Sequence, residues 1–133
     1  AMEEALQDAG LAAKEMDYVN APATSTPLGD HIEGVAMQRI FQDDLASTFV
    51  SSTKSLMGHA CGAAGAIEAV FCSLILDRGF IPPAFNLDKI SEDFAFKSPT
   101  RSDRDFKANL VMNNSFGFGG INTSMILRAM KNF

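Results

Sequence analysis

A run of small residues that leads directly into an apolar helix pattern constrains this chain most. Residues 61–66 contain only cysteine, glycine and alanine, and large apolar side chains then recur as far as Ile75, before Gly79 ends the pattern. Because glycine weakens a helix, such a run favours a helix that approaches another element closely. We therefore predict one buried helix in this region.

Shorter elements surround this helix. Apolar residues recur at helical spacing from Met2 to Ala9, which predicts a first helix that Gly10 ends. A D-x-x-E pattern at Asp30 and Glu33 predicts a capping box that begins a second helix. Helices that alternate with short apolar strands indicate an α/β layer structure, here a single domain over residues 1–133. The strand candidates are residues 17–20, 48–52, 108–112 and 121–127.

Composition and charge exclude several classes of function. A net charge of −5 argues against a nucleic-acid-binding protein, because phosphate recognition needs clustered Lys and Arg. The two cysteines, Cys61 and Cys72, have no metal-ligand spacing and are expected to pack structurally, so neither a metal site nor a disulfide framework is predicted. No apolar stretch reaches the ~18 residues of a membrane span, and no signal-peptide pattern opens the chain. A cytoplasmic protein is therefore expected.

Three polar or glycine-rich segments each follow or end a strand candidate, which is where open α/β sheets bind ligands. They are residues 20–30, 52–62 and 113–120. The first carries hydroxyl groups at Thr24 and Thr26 but no titrating side chain before Asp30. The residues between these segments are interpreted as scaffold, and we expect the chemistry to lie in the three segments.

The middle segment places His59 at the start of the long helix. A helix N-terminus favours a neutral imidazole, which can donate a hydrogen bond to a carbonyl oxygen that gains negative charge. Lys54 lies five residues earlier and could add a positive field. The alternative is that His59 only caps the helix and Lys54 is a surface charge, and spacing alone leaves both open.

The third segment is rich in glycine. Glycines permit positive φ and a close backbone approach to a ligand, so the amides of residues 113–120 could line an oxyanion site. Phe116 and Phe118 could form the wall of an apolar channel. The simpler alternative is a glycine-rich turn that joins two adjacent strands.

Together the three segments resemble the elongating β-ketoacyl synthases of the thiolase-like superfamily. Residues 54–59 (KSLMGH) and 62–66 (GAAGA) match the lysine–histidine segment of that family. Residues 114–120 (NSFGFGG) match its NSFGFGG loop, and residues 20–27 (NAPATSTP) match its NAHGTSTP loop. The resemblance covers essentially the whole chain, as the C-terminal portion of a longer enzyme, and the first residues already fall within a helix pattern.

The resemblance implies a decarboxylative Claisen condensation of an acyl thioester with malonyl-acyl carrier protein, in fatty-acid or polyketide synthesis, without a metal or an organic cofactor. His59 would be the second of two catalytic histidines that hold the malonyl thioester oxygen, and Lys54 its supporting lysine. Phe118 would be the gating phenylalanine near the nucleophile, and Glu68 a structural acid. The further substrate-binding residues that it implies are Thr24, Thr26, Phe116 and Gly119.

Two departures from the family pattern bear on activity. The nucleophilic cysteine of the family lies in the N-terminal half, which this chain lacks, and neither Cys61 nor Cys72 lies in the matching context. Pro22 stands where the family has its first catalytic histidine, and proline has neither an imidazole nor a backbone N–H. Ala23 in place of glycine is a milder change. The chain alone is expected to be inactive.

Three hypotheses follow for the longer protein. It is a weak or specialised condensing enzyme, or a non-catalytic partner like the chain-length-factor subunits that pair with active synthases. The third hypothesis is a module for interaction or dimerisation only. Acyl carrier protein and acyl thioesters are the expected partners, with no nucleic acid and no membrane.

The resemblance also implies an architecture. The fold would be the C-terminal half of a thiolase-like protein, a five-stranded mixed sheet flanked by helices, whose first strand precedes this chain. That strand is expected in the middle of the sheet, so its absence would leave an unpaired central position. The missing N-terminal half, and a homodimeric or heterodimeric partner, should cover apolar surface that this chain exposes.

Overall fold

The computed structural model describes residues 1–89, 91–94, 97 and 105–130. The helices in these ranges are α1 (Met2–Ala9), α2 (Pro27–Phe41), α3 (Lys54–Met57) and α4 (Ala64–Arg78). The strands are β1 (Tyr18–Asn20), β2 (Phe49–Ser51), β3 (Leu110–Phe116) and β4 (Asn122–Arg128). Short 3₁₀ turns cover Ala13–Glu15, Gln42–Ala46, Cys61–Ala63 and Phe118–Gly120.

The strands form one mixed sheet in the order β2-β1-β3-β4. β1 pairs in parallel with both β2 and β3, while β4 runs antiparallel to β3. All four strand candidates are confirmed, but β3 continues to Phe116, so the first four residues of the segment 113–120 belong to a strand and not to a turn. The expected unpaired position in the middle of the sheet is wrong, because β1 bonds directly to strands on both sides. Among the described strands, it is β4 whose outer edge has no partner.

Helices cover both faces of this sheet. Successive side chains of a strand point to opposite faces, so each strand contributes to two apolar cores. One core is shared with α1 and α2, and the other with α4. The strand residues facing α1 and α2 are Val19, Val50 and Met112, and those facing α4 are Tyr18, Phe49 and Val111. The predicted α/β layer structure is confirmed.

The start of α2 differs from the predicted capping box. The helix begins at Pro27 with Thr26 as its N-cap, so Asp30 lies inside the first turn. Proline is favoured at the first helical position for two reasons. Its ring fixes φ near the helical value, and a backbone N–H at this position would have no partner within the helix. The Asp30 and Glu33 carboxylates instead accept hydrogen bonds from amides of the preceding loop. The end of α1 is as predicted, because Gly10 adopts left-handed φ of 64°.

The small residues of α4 do allow a close approach. A Cβ at Gly65 would lie 2.7 Å from the Ser115 hydroxyl oxygen, so only glycine lets α4 lie this close to β3. The burial is one-sided, however, because Ile75 is fully buried while Val70 is 60% exposed. The expectation of a buried helix therefore holds for one face only, since no described element covers the other.

The region 86–105, whose mixed acidic and basic residues predict an irregular surface excursion, is described in part. Residues 86–89 and 91–93 are exposed. Lys97 continues the sheet beside β2, because its carbonyl accepts the Val50 N–H at 2.9 Å. Its ammonium lies 3.9 Å from the centre of the Phe49 ring. The remaining residues of this region lie outside the described ranges.

We expect Ile75→Ala to lower the free energy of unfolding by about 3 kcal/mol, because it leaves a cavity between α4 and β3. The neighbouring substitution Leu74→Ala removes a side chain that is 38% exposed. It should lower that free energy by about 1 kcal/mol or less. Urea unfolding of the two variants compares them, and equal losses would contradict the assignment of the α4 face.

Candidate functional site

The parallel strands bring the three motif segments to one edge of the sheet. The carboxyl ends of β1, β2 and β3 lie at the same edge, because β1 is parallel to both neighbours. Residues 21–26 follow β1, α3 and His59 follow β2, and residues 117–120 follow β3. Open α/β sheets bind ligands at this edge, and the sequence-based expectation that the three segments form one site agrees with this topology.

Two buried asparagines join these segments. The Asn20 side-chain amide donates to the Asn113 carbonyl oxygen at 3.0 Å, and Asn113 donates to the Gly65 carbonyl at 3.2 Å. The Asn20 oxygen also accepts the Thr53 N–H at 3.3 Å. We call this set the asparagine network. It links the end of β1 and the middle of β3 to the start of α3 and to α4.

Sequence reasoning missed the role of both asparagines. Asn20 and Asn113 marked the limits of motif segments, but no function was assigned to either. A signal was present, since each ends an apolar strand candidate, where a buried amide must find hydrogen-bond partners. Their pairing joins residues 93 positions apart, which local patterns do not reveal.

Lys54 and Glu68 form a buried ion pair. The Lys54 ammonium bonds to Glu68 Oε1, and the two side chains are 8% and 0% exposed. The interpretation of Lys54 as a surface charge is therefore wrong. The second Glu68 oxygen and the Thr53 hydroxyl accept or donate no hydrogen bond within the described part of the chain. The pair ties α3, which leads to His59, to the body of α4.

His59 is exposed, and its ring is oriented by the backbone. Its Nδ1 accepts the N–H of Cys61 at 3.2 Å. In the neutral ring the proton therefore lies on Nε2, which is left to donate a hydrogen bond outward. The long helix α4 begins only at Ala64, with Ala63 as its N-cap, so His59 neither starts nor caps that helix as the sequence suggested.

The two cysteines have different environments. Cys72 is fully buried against β1 and β3, which agrees with structural packing. Burial, with a smaller effect from the Glu68 carboxylate, raises the pKa of the Cys72 thiol to about 12. Cys61 lies before α4, has a φ of 49° and is exposed to solvent. The packing role expected for it is therefore wrong.

The turn at Pro22 is strained and held in place by hydrogen bonds. Pro22 is buried, and its carbonyl accepts the Ser52 hydroxyl at 3.3 Å. Ala23 has φ of 26°, a conformation that residues other than glycine adopt only when their surroundings enforce it. The Glu33 carboxylate supplies such a restraint, because it accepts the Ala23 N–H at 2.8 Å. Asp30 holds the next strained residue by accepting the Ser25 N–H at 3.2 Å.

Glu33 is half-buried beside this turn. Burial raises its pKa, and the hydrogen bond from Ala23 opposes that effect. The nearby Asp30 carboxylate raises the pKa of Glu33 a little further. Burial outweighs that hydrogen bond, so folding favours the protonated form of Glu33. Sequence reasoning had assigned Glu33 to helix capping alone.

The remaining residues suggested by the sequence lie on the rim of this edge. The Phe118 ring is fully exposed, and the adjacent Gly119 has φ of 76°. Phe116 packs partly against the core that α1 and α2 share. Thr24 and Thr26 are exposed, with hydroxyl oxygens 3.5 Å apart. Their roles toward a substrate stay predictions.

The described ranges contain neither a metal-binding cluster nor a membrane-spanning helix. No three His, Cys, Asp or Glu side chains gather there in a way that could hold a metal ion. No helix in those ranges has the length and apolar character to cross a membrane.

Known proteins resemble this chain in sequence and in fold. A family model described as "Beta-ketoacyl synthase, C-terminal domain" matches residues 1–88. The 3-oxoacyl-[acyl-carrier-protein] synthase 2 of Coxiella burnetii is 42% identical over 126 residues, which cover 95% of this chain and 30% of that protein. The chain thus spans about 30% of the length of this curated relative.

Solved ketosynthase structures superpose closely. The ishigamide ketosynthase/chain length factor matches with a TM-score of 0.91 and 33% identity, over 98% of this chain and 32% of that chain. A chain of the ketosynthase–chain length factor complex from Xenorhabdus doucetiae matches with a TM-score of 0.85 and 39% identity. That match covers 96% of this chain and 32% of the other. The resemblance in sequence and the thiolase-like fold class are both confirmed.

We expect Glu68→Gln to lower the free energy of unfolding by about 3 kcal/mol or more, because it leaves the Lys54 ammonium buried without a counter-ion. A Lys54→Met/Glu68→Leu double variant should lose less, since no charge stays buried. Glu92→Gln, in the exposed pair with Lys89, is the control and should cost about 1 kcal/mol at most. Equal losses for Glu68→Gln and Glu92→Gln in urea unfolding would contradict the buried pair.

The stability difference between this chain and its Glu33→Gln variant should fall as the pH rises. The pKa of Glu33 is raised above its ordinary value of 4.5, so folding favours the protonated carboxyl. That contribution is fully present below pH 4.5 and is lost as the pH rises through the raised pKa. Urea unfolding between acidic and neutral pH measures it. Glu15→Gln is the control, because it removes the charge of an exposed carboxylate that also accepts a backbone N–H. A difference that grows with pH would refute the expectation.

Proposed function

Because the chain belongs to the β-ketoacyl synthase family and matches its C-terminal domain, we propose that residues 1–133 form the C-terminal half of a 3-oxoacyl-[acyl-carrier-protein] synthase. The complete protein would condense an acyl thioester with malonyl-acyl carrier protein and release carbon dioxide. Fatty-acid and polyketide synthesis both use this reaction. We expect the protein to act in the cytoplasm.

The orientation of His59 is the observation that carries this proposal. With Nδ1 bonded to the Cys61 amide, the neutral ring presents an Nε2–H at the carboxyl edge of the sheet. When carbon dioxide leaves, negative charge develops on the thioester oxygen of the enolate. A preset donor stabilises that charge without reorganising, which is the main way that such sites lower a barrier. His59 is therefore proposed as the donor to the malonyl thioester oxygen.

Lys54 is proposed to act on this oxygen indirectly, through His59. Its ammonium is paired with Glu68, so it is proposed to support His59 through its positive field and through the position of α3. Phe118 is proposed as the gate, since its exposed ring is available to close against an acyl chain held by the other half. Thr24, Thr26, Phe116 and Gly119 are proposed substrate contacts at the same edge.

The nucleophile is proposed to come from outside this chain. The Cys72 thiol is buried, with a raised pKa, so it would not attack a thioester. Cys61 is exposed, but no described histidine side chain accepts a proton from its thiol, and its amide orients His59 instead. The 133-residue chain alone is accordingly proposed to be inactive.

Pro22 supports a second candidate function. The position offers only a carbonyl, which accepts the Ser52 hydroxyl, so it provides no donor to an oxyanion. Loss of one such donor typically lowers a rate by about 10²–10³. The second candidate is a non-catalytic partner of an active synthase. Two of the similar structures are described as a ketosynthase with a chain length factor, so relatives of this chain do assemble in such pairs.

Either function requires further protein around this chain. Apolar side chains of α2 and α4 are exposed, among them Ile32 at 56% and Val70 at 60%. Contiguous apolar faces on a protein surface usually mark an interface. We propose that the N-terminal half, together with a homodimeric or heterodimeric subunit, covers them. Acyl carrier protein is the proposed carrier of both substrates.

The test compares the complete protein with its Pro22→His variant in two assays, carbon dioxide release from malonyl-acyl carrier protein and acyl condensation. For a disabled synthase we expect the variant to gain activity by about 10²-fold, because the imidazole restores a donor. Pro22→His combined with His59→Ala is the control and should lose that gain. Ordinary rates in the unchanged protein would reject the partner role, and no activity in either form would reject the condensing function.

A further inference from the structure

Gly34 lies in the interior of α2 without a backbone reason to be glycine. Its φ is not in the left-handed region, and glycine weakens the interior of a helix. The space beside it supplies the reason. A Cβ at Gly34 would lie 2.6 to 2.8 Å from three atoms of the Phe94 ring. The missing side chain therefore leaves a notch that the ring occupies.

Phe94 is fixed to α2 by a second contact. The centre of its ring lies 5.5 Å from that of His31, at an interplanar angle of 52°. His31 and Gly34 are three residues apart and share one face of the helix. The segment 91–94 is thus attached along the first two turns of α2, next to the loop that precedes the helix.

The notch and the strained turn open onto the same cavity. A cavity of about 430 Å³ is lined by Phe94, Glu33 and Ala23, together with apolar, polar and charged neighbours that include Asp30 and Lys89. Glu33 holds the turn through the Ala23 N–H, and Ala23 directly follows Pro22. Glu33 lies between His31 and Gly34 in the second turn of α2, so the contacts of Phe94 with these two residues also fix the position of Glu33.

We propose that Phe94 is a positioning residue for the turn at Pro22 and Ala23. Seated in the Gly34 notch and against His31, the ring fixes this turn of α2 and with it Glu33, whose hydrogen bond holds Ala23 in its strained conformation. The inference deepens the proposed function and rests on it in one respect, since the turn is the place where the family carries its first catalytic histidine. The hydrogen bond itself can be measured without any assay of activity.

The test measures amide hydrogen exchange at Ala23 by NMR in the 133-residue chain and its variants. Glu33→Ala removes the acceptor and sets the fully released rate. Gly34→Ala expels the ring and Phe94→Ala deletes it, so each should speed exchange at Ala23 by about tenfold, as expected for loss of one hydrogen bond. The Gly79 amide, bonded to Ile75 at the far end of α4, should not change.

Rescue separates positioning from general loss of structure. In Gly34→Ala/Phe94→Leu a smaller side chain meets the added methyl group, and slow exchange at Ala23 should return. If Gly34→Ala fails to fold, Phe94→Ala still tests the proposal, because it adds no bulk. Unchanged exchange at Ala23 in Phe94→Ala, or an equal rise at Gly79, would overturn it. Protection at Ala23 with no condensation in the complete protein would contradict the proposed function alone.

Discussion

The asparagine network is the interaction on which the geometry of the site depends. Asn20 ends β1, Asn113 lies in the middle of the adjacent parallel strand β3, and their paired amides reach the Thr53 N–H and the Gly65 carbonyl. A buried amide left without partners is costly, so the network tolerates little displacement of any member. It fixes where α3 begins and how α4 lies across β3, and those two helices carry Lys54, His59 and Glu68.

The buried ion pair and the close helix approach extend this constraint. Gly65 lets α4 lie against Ser115 of β3. In this position of α4, Glu68 is close enough to form an ion pair with Lys54. Lys54 begins α3, and His59 follows α3 with its ring fixed by the Cys61 amide. The orientation of one exposed imidazole therefore depends on packing that is almost entirely buried, which suits a donor that must be preset before charge develops.

The turn at Pro22 keeps its shape although its chemistry differs from that of the family. Two carboxylates from the start of α2 hold Ala23 and Ser25 at positive φ, and the Ser52 hydroxyl bonds to the Pro22 carbonyl. Strained residues persist only where their surroundings over-determine them. His59 thus keeps a hydrogen-bond donor for an oxyanion, whereas Pro22 offers none. The donor at His59 favours the condensing enzyme, and the missing donor at Pro22 favours the non-catalytic partner.

Much of this molecule could be predicted from its sequence, because the relevant forces are local. The four strands, the end of α1 at Gly10 and the tight approach of α4 follow from apolar spacing and glycine positions. The family and its three motifs could also be identified from the sequence. The capping role given to Asp30 and Glu33 was wrong, because the same carboxylates reach back to a loop whose course the pattern does not specify.

Only the tertiary structure decided which distant groups meet. The pairing of Lys54 with Glu68, of Asn20 with Asn113 and of Gly34 with Phe94 joins residues that lie far apart in the chain. The direct bonding of β1 to β3 likewise removed the central gap expected in the sheet. Sequence patterns report local conformation and burial, whereas these contacts depend on how the helices and strands pack in three dimensions.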